Sequence, residues 1–292
     1  MKFTAKQFQE RFPDDDACLH YLFQLRHGHL LTCPGCGEKA SFSRTKNRRS
    51  YNCIHCAYQL YPTAGTVFEK TTTPLLYWFW AIYMFTTTRN GVAAKELQRT
   101  FDICYKTALR MAHQIKRLMM EEKYVMDGEV VIDEAFLGGE PKNAHGEHLE
   151  RIRAKGEDHQ TPILGIIRKD GKRVIAHIVE HDDLNRKVLE AIIKKDVSKS
   201  SVVVTDGFAA YKELHKSFAA HKVINHSDGI YSWDGHSTNR IENYWSTLKR
   251  MIKGTHISVS KRHLPKYIAE NSFRYVHRQQ PEKMFDSILS RL

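Results

Sequence analysis

Three acidic residues in this sequence stand where a carboxylate is hard to keep. Asp133 interrupts the apolar run VVIDEAF (130–136), Asp206 ends the β-branched run SVVVTDG (201–207), and Glu242 is the only acid between Asp234 and Glu270. In a strand, alternation puts Val131, Asp133 and Ala135 on one face and Ile132, Glu134 and Phe136 on the other. Runs as apolar as these belong to central strands covered on both sides, and ligands bind where such strands end. A carboxylate there needs a cation or hydrogen bonds to hold it. Converging from two strands and a helix, Asp133, Asp206 and Glu242 would hold two Mg²⁺ or Mn²⁺ ions. Such a pair clamps the attacking and leaving oxygens of an in-line phosphoryl displacement.

Each acid also has a purely local reading. Asp206-Gly207 can turn the chain into the next helix as an N-cap. Asn239-Arg240-Ile241-Glu242 has the form of a capping box, with Asn239 as the cap and Glu242 reaching back. Against that, Glu242, Trp245, Ser246 and Lys249 share one face at helical spacing. Glu242 and Lys249 lie two turns apart, roughly 10 Å at the helical rise. That separation suits a carboxylate on metal and an ammonium on a neighbouring DNA phosphate.

A second constellation is built from sulfur. Cys33 and Cys36 (CPGC) and Cys53 and Cys56 (CIHC) form two knuckles 16 residues apart. Four thiolates at this spacing close one tetrahedral structural Zn²⁺ site. Pro-Gly within the first pair suits the tight turn, and His55 reads as exposed. Cys18 and Cys104 stand alone and read as packing residues. Arg44, Lys46, Arg48 and Arg49, between the knuckles beside Phe42 and Tyr51, form a basic loop suited to DNA phosphates.

The elements that must position these groups fall into three regions, 1–72, 73–126 and 127–292. The first carries the zinc ribbon. The second is helical: 91–119 fits two helices joined near Asp102, with Ala94, Leu97, Ile103, Ala108, Leu109 and Ile115 buried. Tyr105, Lys106, Thr107 and Arg110 then open the second helix, where a helix-turn-helix reads base edges. The third is mixed α/β, with strands expected at 130–136, 161–169, 173–181, 201–207 and 221–226. Helices are expected near 184–196, 208–218, 238–252 and 261–278, and residues 138–160 read as a long loop. Trp245, Tyr244 and Tyr267 read as packing residues, and Trp233 as a residue that touches DNA.

The chain of 292 residues carries a net charge of +12, which points to a polyanionic partner. Residues 240–278 alone hold nine Lys or Arg against two Glu, and Arg240, Lys249, Arg250 and Lys253 fall there. The start of the chain lacks a signal-peptide core, and the apolar run Pro74 to Thr86 is too short to span a bilayer. The expectation is an intracellular protein with reduced cysteines and no membrane partner.

With these motifs assembled, the sequence resembles the ISXO-type DDE transposases of bacterial and archaeal insertion sequences. The likeness rests on CPGC…CIHC, VVIDEAFLGG, VVVTDGFAAY, HSTNRIENYWSTLKRMIKGTH and the tail VSKRHLPKYIAENSFRYVHR, in that order. It implies a multidomain chain: zinc ribbon, all-α helix-turn-helix, and an α/β ribonuclease-H-like catalytic domain. It also implies a D-D-E site at Asp133, Asp206 and Glu242, with Lys249 as the basic residue seven positions on. Asn239 and Asn243 are rivals for the third place, and Glu134 is expected to be a neighbour turned away. The activity implied is hydrolysis at the ends of the element to free 3′-OH groups, then joining of those ends to target DNA. It needs two Mg²⁺ or Mn²⁺ per site, one structural Zn²⁺ per chain, double-stranded DNA and at least a homodimer. A DNA-binding regulator, or a nuclease that cuts without joining, are the competing readings.

Overall fold

The run Asp14-Asp15-Asp16 explains much of how the first part of the chain is organised. The computed structural model describes residues 3–121, 123–138, 150, 160–224, 232–233 and 235–292. Two compact units emerge, one of Met1–Leu118 with Gln280–Leu292 and one of Met119–Gln279. In the first, α1 (Ala5–Arg11) and α2 (Asp15–His27) precede a three-stranded antiparallel sheet of β1 (Phe42–Arg44), β2 (Tyr51–Cys53) and β3 (Gln59–Leu60). Helices α3 (Leu75–Thr87), α4 (Ala94–Phe101) and α5 (Tyr105–Leu118) follow.

Asp14 caps α2 by accepting from Ala17 N at 2.8 Å. Asp15 caps α3, which begins after Pro74 with no cap of its own, accepting from Leu75 N at 3.0 Å and Leu76 N at 2.9 Å. Asp16 holds Arg44 at 2.8 Å. Helix α3 is apolar nearly all round and lies in the core through Leu75, Trp78, Phe79, Ile82 and Phe85. The helix Met284–Leu289 completes that core. The Phe285 ring sits 5.9, 5.6 and 6.2 Å from those of Phe8, Phe12 and Phe79. Among the described residues no helix is long and apolar enough to cross a membrane.

Helices α4 and α5 are joined by a short turn in which Asp102 adopts a left-handed conformation (φ 50°). Leu97, Ala108 and Ile115 are buried, as expected, together with Phe101, Met111 and Ala112, whereas Ala94, Ile103 and Leu109 are only half-buried. Cys18 is buried but Cys104 is exposed, its sulfur 3.1 Å from Thr107 Oγ1, so it is not a packing residue.

In the second unit one sheet carries the carboxylates. Its strands are β4 (Glu129–Leu137), β5 (Thr161–Arg168), β6 (Val174–Ile178), β7 (Val202–Thr205) and β8 (Ala220–Val223), in the order β6-β5-β4-β7-β8. The β4–β5 and β5–β6 pairs are antiparallel; β7 pairs parallel with both β4 and β8. Helix α6 (Arg186–Asp196) lies before β7, and α7 (Asn239–Met251) and α8 (Leu264–His277) follow β8 and a two-residue ribbon, β9 (Ser232–Trp233) with β10 (His236–Ser237).

Both faces of the sheet are covered, which is why its strands are so apolar. Val131, Ala135, Ile163 and Ile167 pack with Ile241, Tyr244 and Trp245 of α7 and with Leu264 and Ile268 of α8. On the opposite face Val130, Ile132, Leu164 and Ile166 pack with Leu189 and Ile193 of α6 and with Tyr211, Leu214 and Phe218. The helix expected over 208–218 is instead two short 3₁₀ turns, Ala209–Tyr211 and Leu214–Lys216. Tyr211 closes the first turn and Leu214 opens the second, and both are fully buried. Most of the loop expected at 138–160 lies outside the described residues, as does the side chain of Trp233.

Candidate functional site

Asp133 sits mid-strand in β4, opposite Gly165 of β5. The parallel β4–β7 ladder ends at Val131 and Val204. Continuing that register by two residues brings Asp206, just past the end of β7, alongside Asp133. One oxygen each from Asp133, Glu134 and Asp206 lie within 4.8 Å of one another. Alternation turns Glu134 toward the Tyr211 face, yet β7 has stopped at this level and no strand separates the two faces. Glu134 therefore joins the cluster, where sequence reasoning had set it aside as a neighbour.

Each carboxylate has its own support. Asp133 Oδ2 accepts from the Trp245 indole N–H at 3.0 Å. That ring fits because residue 165 has no side chain: a Cβ there would meet Trp245 Cζ2 at 2.5 Å and Cη2 at 2.6 Å. Gly165 is a backbone position kept bare for a closely approaching ring. Trp245 is thus both the packing residue expected and the hydrogen-bond donor to Asp133. Asp206 Oδ1 accepts from Phe208 N at 3.0 Å, the local turn role expected of it, which leaves its second oxygen for the cluster. Burial, reinforced by the charge of Glu134 beside it, pushes the pKa of the Tyr211 hydroxyl up.

Burial, reinforced by the charges of Asp206 and Glu242 and opposed by the Trp245 N–H, pushes the pKa of Asp133 up to about 6. Burial, with Asp133 and Asp206 nearby, likewise pushes Glu134 up to about 7. Carboxylates crowded in this way are poorly compensated by the protein alone, and hard divalent cations are the complement that an all-oxygen donor set fits.

Glu242, the third residue expected at the site, lies outside that cluster but borders the adjoining cleft from α7. The helix is capped one residue earlier than the sequence suggests, at Thr238, whose carbonyl accepts from Ile241 N and Glu242 N. Glu242 is then one position too far along to reach back to the cap N–H. Its Oε1 accepts instead from the Thr238 hydroxyl at 2.8 Å. The residue also lines a cleft of about 750 Å³ with Asp133, Glu134, Trp245, Ser246 and Lys249, and Arg250 and Lys253 complete its basic rim. Asn239 and Asn243 line a different cleft, together with Arg240. The expected capping box, with Asn239 as cap and Glu242 reaching back, is therefore not formed; the Thr238 hydroxyl instead anchors a Glu242 carboxylate that borders the cleft beside Asp133.

The cysteines converge as a separate cluster in the first unit, with Cys33 Sγ 3.7 Å from Cys56 Sγ and Cys36 Sγ 3.9 Å from Cys53 Sγ. A tetrahedron with Zn–S bonds near 2.3 Å has edges of about 3.8 Å, so these four sulfurs fit a zinc ion. Gly35 in the first knuckle is needed for closure, since a Cβ there would meet Tyr58 Cβ at 2.8 Å.

The basic residues expected to meet DNA divide into two groups. Arg44 is tied to Asp16, and Arg49 donates to Thr71 O at 2.8 Å and Thr73 O at 3.1 Å with Asp15 at 3.4 Å. Lys46 and Arg48 are exposed on the β1–β2 turn. On α5, Tyr105, Lys106 and Arg110 are exposed and Thr107 is half-buried, with Lys95 Nζ 4.9 Å above the Tyr105 ring.

Residues 125–275, just over half of the chain, match the ISXO2-like transposase domain, and residues 13–59 match the transposase zinc-ribbon domain. A protein of Halobacterium salinarum described as an uncharacterized protein in transposable element ISH50 is 25% identical over 283 residues, which is 93% of this chain and 94% of that protein.

Proposed function

Because this chain belongs to the ISXO2-like transposase family, we propose that it is the DNA transposase of an insertion sequence, cutting and joining DNA by metal-dependent phosphoryl transfer. The observation that carries the reading is the meeting of Asp133, Glu134 and Asp206 at the end of β7, with Asp133 and Glu134 lining a cleft that Glu242 also borders. The sheet order, with β4 central and β7 parallel beside it, supports a ribonuclease-H-like catalytic domain. Helices α4 and α5 support a helix-turn-helix, and the cysteine cluster a zinc ribbon. Together they present Lys46, Arg48, Lys106 and Arg110 for recognition of the terminal inverted repeats.

Asp133, Asp206 and Glu242 would hold two Mg²⁺ or Mn²⁺ ions, with Glu134 available from β4. When bound, such ions neutralise charge on the attacking and leaving oxygens of an in-line displacement. Trp245 favours the ionised form of Asp133 against its burial, and Thr238 fixes the approach of Glu242. Lys249, Arg250 and Lys253 on the rim hold the phosphates beside the one being cut. Water replaces the 3′ oxygen at the phosphate that bounds the element, freeing a 3′-OH. That hydroxyl then attacks a target phosphodiester, forming one bond as the target's own 3′ oxygen leaves. Two ends joined at once require at least two copies of the chain.

Asp206→Asn tests the assignment. It should still bind end DNA but lose 3′-end cleavage in Mg²⁺ and joining of a pre-cleaved end. Undiminished cleavage would remove Asp206 from the chemistry. Wild-type cleavage without joining would make the protein a nuclease, and binding with neither activity a regulator.

A further inference from the structure

The second cleft of the carboxylate unit, about 420 Å³, is lined by Glu129, Lys169, Asn239, Arg240, Asn243 and Arg278, among others. Its construction starts from Gly171, in the turn between β5 and β6. Gly171 has φ +70°, and a Cβ there would meet Arg240 Nη1 and Arg278 Nη2, both at 2.9 Å. The two guanidiniums are thus no further apart than the sum of those distances. Arg240 Nη1 donates to Asp170 O at 3.5 Å and Arg278 Nη1 to Gly171 O at 3.3 Å. The Arg278 guanidinium also lies 4.0 Å from the Tyr275 ring centroid, and the Tyr275 hydroxyl donates to Arg240 O at 3.0 Å. Packing of α7 on α8 therefore sets both side chains.

The charges do not balance. Asp170 is taken by Arg168 at 2.7 Å. Glu129, the carboxylate of this cleft, is taken by Lys169 at 2.8 Å and by His236 at 2.9 Å. Among the described residues neither Arg240 nor Arg278 forms an ion pair. Two cations converging on neutral carbonyls repel each other, and the arrangement becomes favourable once an anion lies between them. Planar guanidinium forks match a phosphate's oxygens. The amides of Asn239 and Asn243 add neutral hydrogen-bonding groups to the same wall.

We propose that Arg240 and Arg278, with Asn239 and Asn243, form a binding pocket for a phosphodiester of the DNA backbone, separate from the carboxylate cleft. Glu129 lies four residues before Asp133 on the same face of β4, about 13 Å away at the strand rise. Because the strand winds around the duplex axis, successive phosphates lie about 6–7 Å apart, so the bound phosphate is about two nucleotides from the one being cut. Only this register rests on the proposed function; the anion pocket itself does not.

The test uses the full chain and a labelled duplex, with affinity measured by fluorescence anisotropy across a salt series. Each phosphate contact contributes about −0.9 to the slope of log K against log salt. Arg240→Gln with Arg278→Gln should flatten the slope by about two and weaken binding on the order of 60-fold at 0.1 M salt, equally for end and unrelated sequences. Gly171→Ala should displace both side chains and act in the same direction. A second arm leaves the protein unaltered: single neutral methylphosphonates are moved along the cut strand. Wild type should be sensitive at one position one to three nucleotides from the cut, and the double variant indifferent there. An unchanged slope in the double variant, or no sensitive position in wild type, overturns the pocket. A flattened slope with Asp206→Asn still cleaving would keep the pocket and overturn the proposed chemistry.

Discussion

Replacing Trp245 with phenylalanine keeps an aromatic ring over Gly165 but removes the N–H that reaches Asp133 Oδ2 at 3.0 Å. Donation to a carboxylate favours its charged form, so losing it raises the Asp133 pKa. A hydrogen bond to a charged group is worth about 1.5–3 kcal/mol. One pKa unit corresponds to about 1.36 kcal/mol, so the rise is about one to two units. Asp133 already titrates at about 6. In Trp245→Phe it is therefore largely protonated near neutrality, and a divalent ion must displace that proton to bind. Isothermal titration with Mn²⁺ over a pH series should place the midpoint for binding about one to two units higher, a roughly 10- to 100-fold loss of affinity below it. Gly165→Ala reaches the same end from the other side, because its Cβ lies 2.5 Å from Trp245 Cζ2 and pushes the indole off Asp133. The two changes remove one interaction, so combining them should add little. A wild-type pH midpoint in Trp245→Phe would refute the argument, since the N–H would then not govern the charge of Asp133.

Three further outcomes are expected. Glu134 titrates near 7 in the fold against 4.5 outside it, so its contribution to stability is complete below pH 4.5 and is lost as pH rises through 7. That loss is on the order of 3 kcal/mol, and metal-free Glu134→Gln should lose less Tm between pH 5 and 8 than wild type in calorimetry. Cys53→Ser should reduce bound zinc from one per chain to none by elemental analysis, and lower the melting temperature of the first unit. Asp15→Ala removes the acceptor for Leu75 N and Leu76 N and a partner of Arg49, and should lower stability to urea by about 1–2 kcal/mol.

The carboxylates were legible in the sequence because a charge in an apolar strand is costly wherever it occurs. Asp133 and Asp206 are such charges, and the end of a β-branched run locates the second at a strand terminus. Glu134 was misjudged for a physical reason: alternation separates two faces only while a neighbouring strand lies between them, and β7 stops at Thr205. The role of Trp245 had a signal that went unread, since a glycine inside TPILGIIRK marks a place where something approaches the backbone. Arg44 and Arg49 resembled a phosphate grip because the acids that engage them lie about 30 residues earlier, in a run that a linear reading assigns to its own helix. Arg278 could not be linked to Arg240 without the turn at Gly171, which is contributed by a different part of the chain.

The contact of Phe285 with Phe8, Phe12 and Phe79, joined by the 2.8 Å pair of Arg11 and Asp286, has a consequence for biosynthesis. A ribosome releases residues 119–279 before it releases the helix Met284–Leu289. The unit that carries the carboxylates thus has every residue it needs while the core of the zinc-binding unit is still missing its last aromatic side chain. Domains fold as units once their residues are available. The carboxylate unit can therefore close from one continuous stretch of chain, whereas the other unit must join segments that the whole of the carboxylate unit separates in sequence.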